Sequence, residues 1–177
     1  VRHSPSVPWT VRILVALALV GAVGACAPLR PPAPVAPEPL HLSELAGRGD
    51  AQRRSSLELV LQGLDADATG RPHAARADYE NALRIDPTNP WAYVALARHH
   101  VAGTTPQRAL DFLDQARALL EGQGAWSPRA EAHVVGLRGA ALVASGRGPE
   151  GLPLLERARE LSPTVWSDGH LDARELR

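Results

Sequence analysis

From residue 40 onward, apolar residues recur at three- and four-residue steps in stretches rich in Ala and Leu, with Gly and Pro between them. That is the period of helices that bury one face, so the predicted fold class is all-α. Pro72, Pro90, Pro106 and Pro128 each stand where a first helical residue would, because a missing N–H costs nothing there. Asn89, Thr105 and Ser127 precede three of them as capping residues. Pro153 is different: it falls about a turn inside an expected helix and removes a hydrogen bond, so that helix is expected to start late, near Gly151 or Leu152. Residues 40–54 read as a backward extension of the first helix. After Pro163, the tail 164–177 offers Ser167 or Asp168 as a cap and Leu171 and Leu176 for burial. It predicts a short capping helix, with Trp166 covering the last exposed face.

The first forty residues follow another pattern. Arg2 and Arg12 precede an uncharged run, Ile13 to Ala25, that ends in small residues before Cys26. As a helix the run reaches only about 20 Å, short of a ~30 Å hydrocarbon core, and its layout is that of an export signal. Pro28 to Pro39 is dense in proline and favours polyproline II, a semi-rigid tether of about 37 Å. Val23-Gly24-Ala25-Cys26 resembles the lipobox of bacterial lipoproteins. The resemblance implies cleavage before Cys26, lipidation of that cysteine, and, with Ala27 rather than Asp next, sorting to the outer membrane facing the periplasm. The alternative is an unmodified cysteine. The expected organisation is a signal peptide at 1–25, a lipidated Cys and tether at 26–39, helical repeats over 40–163 and a capping segment at 164–177.

The repeats emerge on alignment. Gly63, Ala75, Tyr79, Ala82 and Pro87 recur 34 residues later as Ala97, Ala109, Leu113, Ala116 and Glu121. They recur again as Gly139, Gly151, Leu155, Ala158 and Pro163, with turns at Gly70 and Gly146. Small residues at matched phase let two helices approach closely, as Gly63 with Ala75 and Ala97 with Ala109 would. Leu59, Tyr79, Leu83, Leu110, Leu113 and Val135 are expected to stack one hairpin on the next. This spacing resembles the tetratricopeptide repeat. It implies a solenoid of about three repeats, near 56–89, 90–123 and 132–163, with a polar loop at Gly122–Ser127; an ordinary amphipathic helical bundle is the alternative.

The family resemblance further implies that the first helix of each pair lines a concave groove. By repeat phase this groove carries Leu57, Val60, Leu64, Trp91, Val94, Arg98, Val101 and His133, with Gly136 and Ala140. Its mostly apolar lining implies another protein as partner, through an apolar strand or amphipathic helix, with Trp91 and Arg98 as hot spots. The same residues could instead pack beneath the N-terminal segment or the C-terminal cap.

Composition narrows the function classes. All 19 basic residues are Arg and balance 19 acids, which gives no bulk attraction to nucleic acid. Loss of the segment before Cys26 removes two Arg and no acid, leaving a net charge of −2. One cysteine excludes an intramolecular disulfide and a Cys-based zinc cluster. No phosphate loop, nucleophile elbow or paired His at i, i+4 is present, so no enzyme activity and no cofactor are expected. His99 and His100 point about 100° apart on a helix and do not readily share a metal; a site with His133 from the next repeat is the alternative to two solvated or packed histidines. Asp65 and Asp67 read as a solvated helix end. The expected role is a lipid-anchored scaffold for envelope assembly of outer-membrane, secretin or pilus type. A regulator docked on a cell-wall enzyme, or a purely structural envelope lipoprotein, is the alternative.

Overall fold

The computed structural model describes residues 38–177. The signal segment, the lipobox with Cys26 and nearly all of the tether lie outside the described residues. The described chain begins with a 3₁₀ turn, Leu42–Leu45. Seven α-helices follow: α1 (Ala51–Ala68), α2 (Pro72–Ile85), α3 (Pro90–Ala102), α4 (Pro106–Gly122), α5 (Pro128–Ala144), α6 (Gly148–Leu161) and α7 (Ala173–Leu176). They pack as three hairpins, α1–α2, α3–α4 and α5–α6, with α1, α3 and α5 side by side and α7 returning onto α1. This is the tetratricopeptide-like solenoid that the spacing implies. No helix among the described residues is long and apolar enough to cross a membrane.

The four prolines open α2, α3, α4 and α5, as expected. Two of the three expected caps form. The Asn89 side chain accepts from the Trp91 N–H at 3.1 Å, and the Ser127 side chain accepts from that of Ala130 at 3.3 Å. Thr105 makes no side-chain cap; its hydroxyl instead meets His100 Nδ1 at 2.7 Å. Asn89 does more than cap. It is fully buried, and its Nδ2 donates to Ser56 Oγ at 2.9 Å, which donates in turn to the Ala82 carbonyl at 2.9 Å, linking the first hairpin to the second. Asn89→Ala removes both the cap and the inter-hairpin bond. It is expected to cost about 1–2 kcal/mol in urea unfolding at neutral pH.

The small-residue rule holds, with different partners in different hairpins. In the third hairpin Gly139 and Gly151 oppose each other: a Cβ on Gly151 would stand 2.6 Å from the Gly139 carbonyl oxygen. In the first hairpin Gly63 faces the ring of Tyr79, and a Cβ there would collide with Tyr79 Cε1. Tyr79 thus fills its own hairpin and also reaches the next, its ring 6.0 Å from that of His99 on α3 in an edge-on arrangement, as expected. Gly70 and Gly146 take positive φ (71° and 79°) to turn the first and third hairpins.

Three expectations are corrected. Helix α6 begins at Gly148, with Pro153 inside it. Pro149 and Pro153 both lie on the exposed face, where water can solvate the Pro149 carbonyl that Pro153 leaves without a donor. Residues 40–50 do not continue the first helix; that helix is capped by Asp50, whose side chain accepts from the Arg53 N–H at 2.8 Å. The C-terminal helix is capped by Asp172 in a capping box with Glu175. Ser167 does not cap it, and Asp168 accepts from the His170 N–H at 2.9 Å in a local turn.

Candidate functional site

Helices α1, α3 and α5 bring the groove residues to one side of the solenoid. Leu57, Val60, Leu64, Trp91, Val94, Arg98 and His133 are all buried, and Val101 is half-buried. They do not line an open groove, because the N-terminal segment and the tail cover them. Trp166, fully buried, lies so close against Gly136 that a Cβ there would collide with the indole. From there the tail runs over α3 and α5. It shares with Arg98, Val101, Leu137 and Ala140 a cleft of about 490 Å³ lined on the other side by residues from Asp168 to Glu175. Helix α7 then docks on α1, with Leu176 fully buried and Arg177 paired with Asp65.

The N-terminal segment completes the cover. The Leu40 carbonyl sits 3.0 Å from His133 Nε2, and Arg129 reaches the Pro39 carbonyl and, at 2.9 Å, Glu44. The two ends also bind each other: the Ser43 N–H donates to the Arg177 carbonyl at 2.6 Å. Leu40 and Leu42 are buried. The physical reason is the apolar lining itself. A stripe of this size left in water is unfavourable, and the Trp and Leu residues of the tail supply the burial.

Arg98 is not a free hot spot. It pairs with Asp67 at the end of α1; the side chains are 6% and 8% exposed. Tyr79 OH donates to the same carboxylate at 3.0 Å, and His99 Nδ1 approaches it at 3.0 Å. Asp67 is thus the centre of a buried network and not part of a solvated helix end. Burial alone would raise its pKa, but the hydrogen bond from His99 and the charges of Arg98 and His99 outweigh this and hold the carboxyl below its ordinary range. Burial and the adjacent Asp67 charge push the Tyr79 phenol up, so it remains a neutral donor. Trp91 borders a small cleft of about 170 Å³ with Leu45, Leu57 and Pro90.

The histidines stay apart. His99 and His100 have ring centroids 5.9 Å apart at 78°, His100 stacks on Phe112 at 5.4 Å, and His133 is under the N-terminal segment. No group of three His, Cys, Asp or Glu among the described residues is placed to hold a metal ion.

Because a carbonyl can only accept, the Leu40 contact fixes the proton of His133 on Nε2, leaving Nδ1 bare. Burial pushes the His133 pKa down from 6.5 to about 4. Burial, then the charges of His99, Arg108 and Arg76, lower that of His100 to about 4. The unfolded chain takes these protons first, so the stability they reflect is complete above about pH 6.5 and is lost as pH falls toward 4. For His133 alone the loss is on the order of 3 kcal/mol by pH 4. Thermal melts from pH 7 to pH 4 should show this decline, and His133→Gln should flatten part of it. Asp67 and Asp86, both held low, delay their share of the loss to still lower pH.

Sequence reasoning missed the Asp67–Arg98 network and the mutual contact of the two ends. Gly136 in the groove phase was the available signal, since a glycine there admits a ring. No match was found among curated proteins or solved structures. Residues 68–141 match the family model described as Tetratricopeptide repeat, and with hairpins of the same form on either side the described residues fold as a tetratricopeptide-repeat-like helical solenoid, an architecture that supports a protein-interaction role.

Proposed function

We propose that this protein is a lipid-anchored adaptor of the bacterial cell envelope, exported and held by Cys26 at the outer membrane facing the periplasm, where it assists assembly of an envelope complex of outer-membrane, secretin or pilus type. The observation that supports it is the joining of two features in one chain: a helical-repeat interaction fold, and an N-terminal stretch that resembles a lipoprotein signal ending at Val23-Gly24-Ala25-Cys26. Three acyl chains on a cysteine, as the resemblance implies, make an anchor effectively permanent, whereas one chain binds only marginally. The tether then sets the solenoid off the bilayer. A net charge of −2 after processing gives no attraction to an anionic leaflet, so orientation follows from the tether and the partner.

The reading assigns no chemistry to the chain. It expects neither cofactor nor metal, and no nucleic acid as ligand. Its test is Cys26→Ser. Fractionation of cells labelled with a palmitate analogue should show the natural chain labelled and in the membrane fraction, and the variant unlabelled and released. Proximity labelling from the anchored chain should then return envelope-assembly proteins that the released variant loses. Equal labelling of both forms would remove the anchor from the account, and recovery of cell-wall enzymes would replace assembly with regulation.

A further inference from the structure

Buried side-chain polar atoms without a protein hydrogen bond are costly and therefore rare, and where they gather a structure is weakest. Among the described residues there are five: Arg98 Nε, Arg129 Nε, His133 Nδ1, Ser162 Oγ and Trp166 Nε1. None lies in the seam between paired helices. Trp166 belongs to the start of the tail, and Ser162 closes α6 just before it. Arg129 and His133 are the two residues that hold the N-terminal segment, and Arg98 faces the tail across the 490 Å³ cleft. A second cleft, about 350 Å³, runs along the same line between Val101, Ala140, Val143 and Leu155 on one side and Asp168 to His170 on the other. The third hairpin, by contrast, closes with Gly139 and Gly151 against each other's backbone, and the first with Gly63 against the Tyr79 ring. Unsatisfied buried polar atoms thus gather where the two ends cover the solenoid, although a cleft of about 600 Å³ also lies between the first two hairpins, from Asp67 to Arg108.

We infer that the terminal segments 39–46 and 164–177 form a latch, an intramolecular occupant of the concave face that opens as a unit and gives way to a partner segment presenting an aromatic residue and two leucines in the spacing of Trp166, Leu171 and Leu176. The two ends open together because each holds the other through the Ser43–Arg177 bond. A segment that reproduces Trp166 against Gly136 and Leu176 against α1, and adds an acceptor for Arg98 Nε, satisfies the face better than the tail does. While the latch is shut the binding-competent fraction is small and the apparent affinity falls in proportion. The partner half of this inference rests on the protein-interaction reading; the latch itself does not.

The test uses the whole processed chain. In native-state hydrogen exchange, the amides of Ser43, Trp166 and Leu176 should share one opening free energy, lower than that of Leu137 and Gly139 in α5. Exchange of all five at one common rate would overturn the latch, since the ends would then be an integral part of the solenoid. In the second arm the probe is a synthetic peptide of residues 164–177. Trp166→Ala should keep the α5 protection and bind this peptide roughly tenfold or more tighter than the natural chain, as expected when an internal competitor is released. Loss of α5 protection in Trp166→Ala, or no binding of the peptide to the variant, would overturn the inference. The exchange result needs no partner, so failure of the adaptor reading leaves it standing, and the reverse also holds.

Discussion

Arg98→Ala is expected to lower the unfolding free energy by about 3–5 kcal/mol, the usual cost of removing one member of a buried ion pair. The variant leaves Asp67 buried with only Tyr79 OH and His99 beside it. Its pKa must then rise, because burial persists while the Arg98 charge is gone. The deficit should therefore be largest at neutral pH and shrink as pH falls into the carboxylate range, where Asp67 of the variant takes up its proton before that of the natural chain. Urea unfolding at pH 7 and pH 3.5 reads this directly. The double variant Asp67→Leu with Arg98→Met should regain much of the loss, since no charge is then stranded. A loss below 1 kcal/mol at pH 7 would mean that the pair is solvated and that α1 and α3 are not joined as described.

Gly139→Val is the second large effect. A Cβ at residue 139 would stand 2.9 Å from the Gly151 carbonyl oxygen and 3.0 Å from the Leu155 nitrogen. Backbone atoms cannot rotate away as a side chain can, so α5 and α6 must part along their length. Overpacking of this kind costs about 3 kcal/mol, more than any helix propensity gained on leaving glycine. A fall of roughly 10 °C in Tm is expected for a domain of this size. Gly148 is the control. It opens α6, and the position an added methyl would take has nothing within 4 Å, so Gly148→Ala should be neutral or slightly stabilising.

Local features are readable from the residues alone. Pro72, Pro90, Pro106 and Pro128 are helix starts because proline suits a first helical position wherever it occurs. Gly139 and Gly151 can be paired by phase because close approach demands small residues on both helices. Pro153 misleads because its effect depends on which way the helix faces, and exposure lets water do what a donor would.

The candidate site is less legible, since its residues can be placed in one row but not its cover. His133 meets Leu40 across 93 residues and Arg98 meets Asp67 across 31, contacts that no local pattern encodes. Polar residues at helix ends, such as Asp67, look solvated until a neighbouring hairpin is laid over them. The apolar lining is consistent with either a partner or the chain's own ends. Only the structure distinguishes them.

Nuclear Overhauser spectroscopy on the isotope-labelled processed chain tests most directly whether the solenoid's concave face is closed by the chain itself. Cross-peaks from the Trp166 indole to the Gly136 Hα, and between Ser43 and Arg177, are predicted. Trp166 resonances at solvent-exposed shifts, with no contact to α5, would contradict the account.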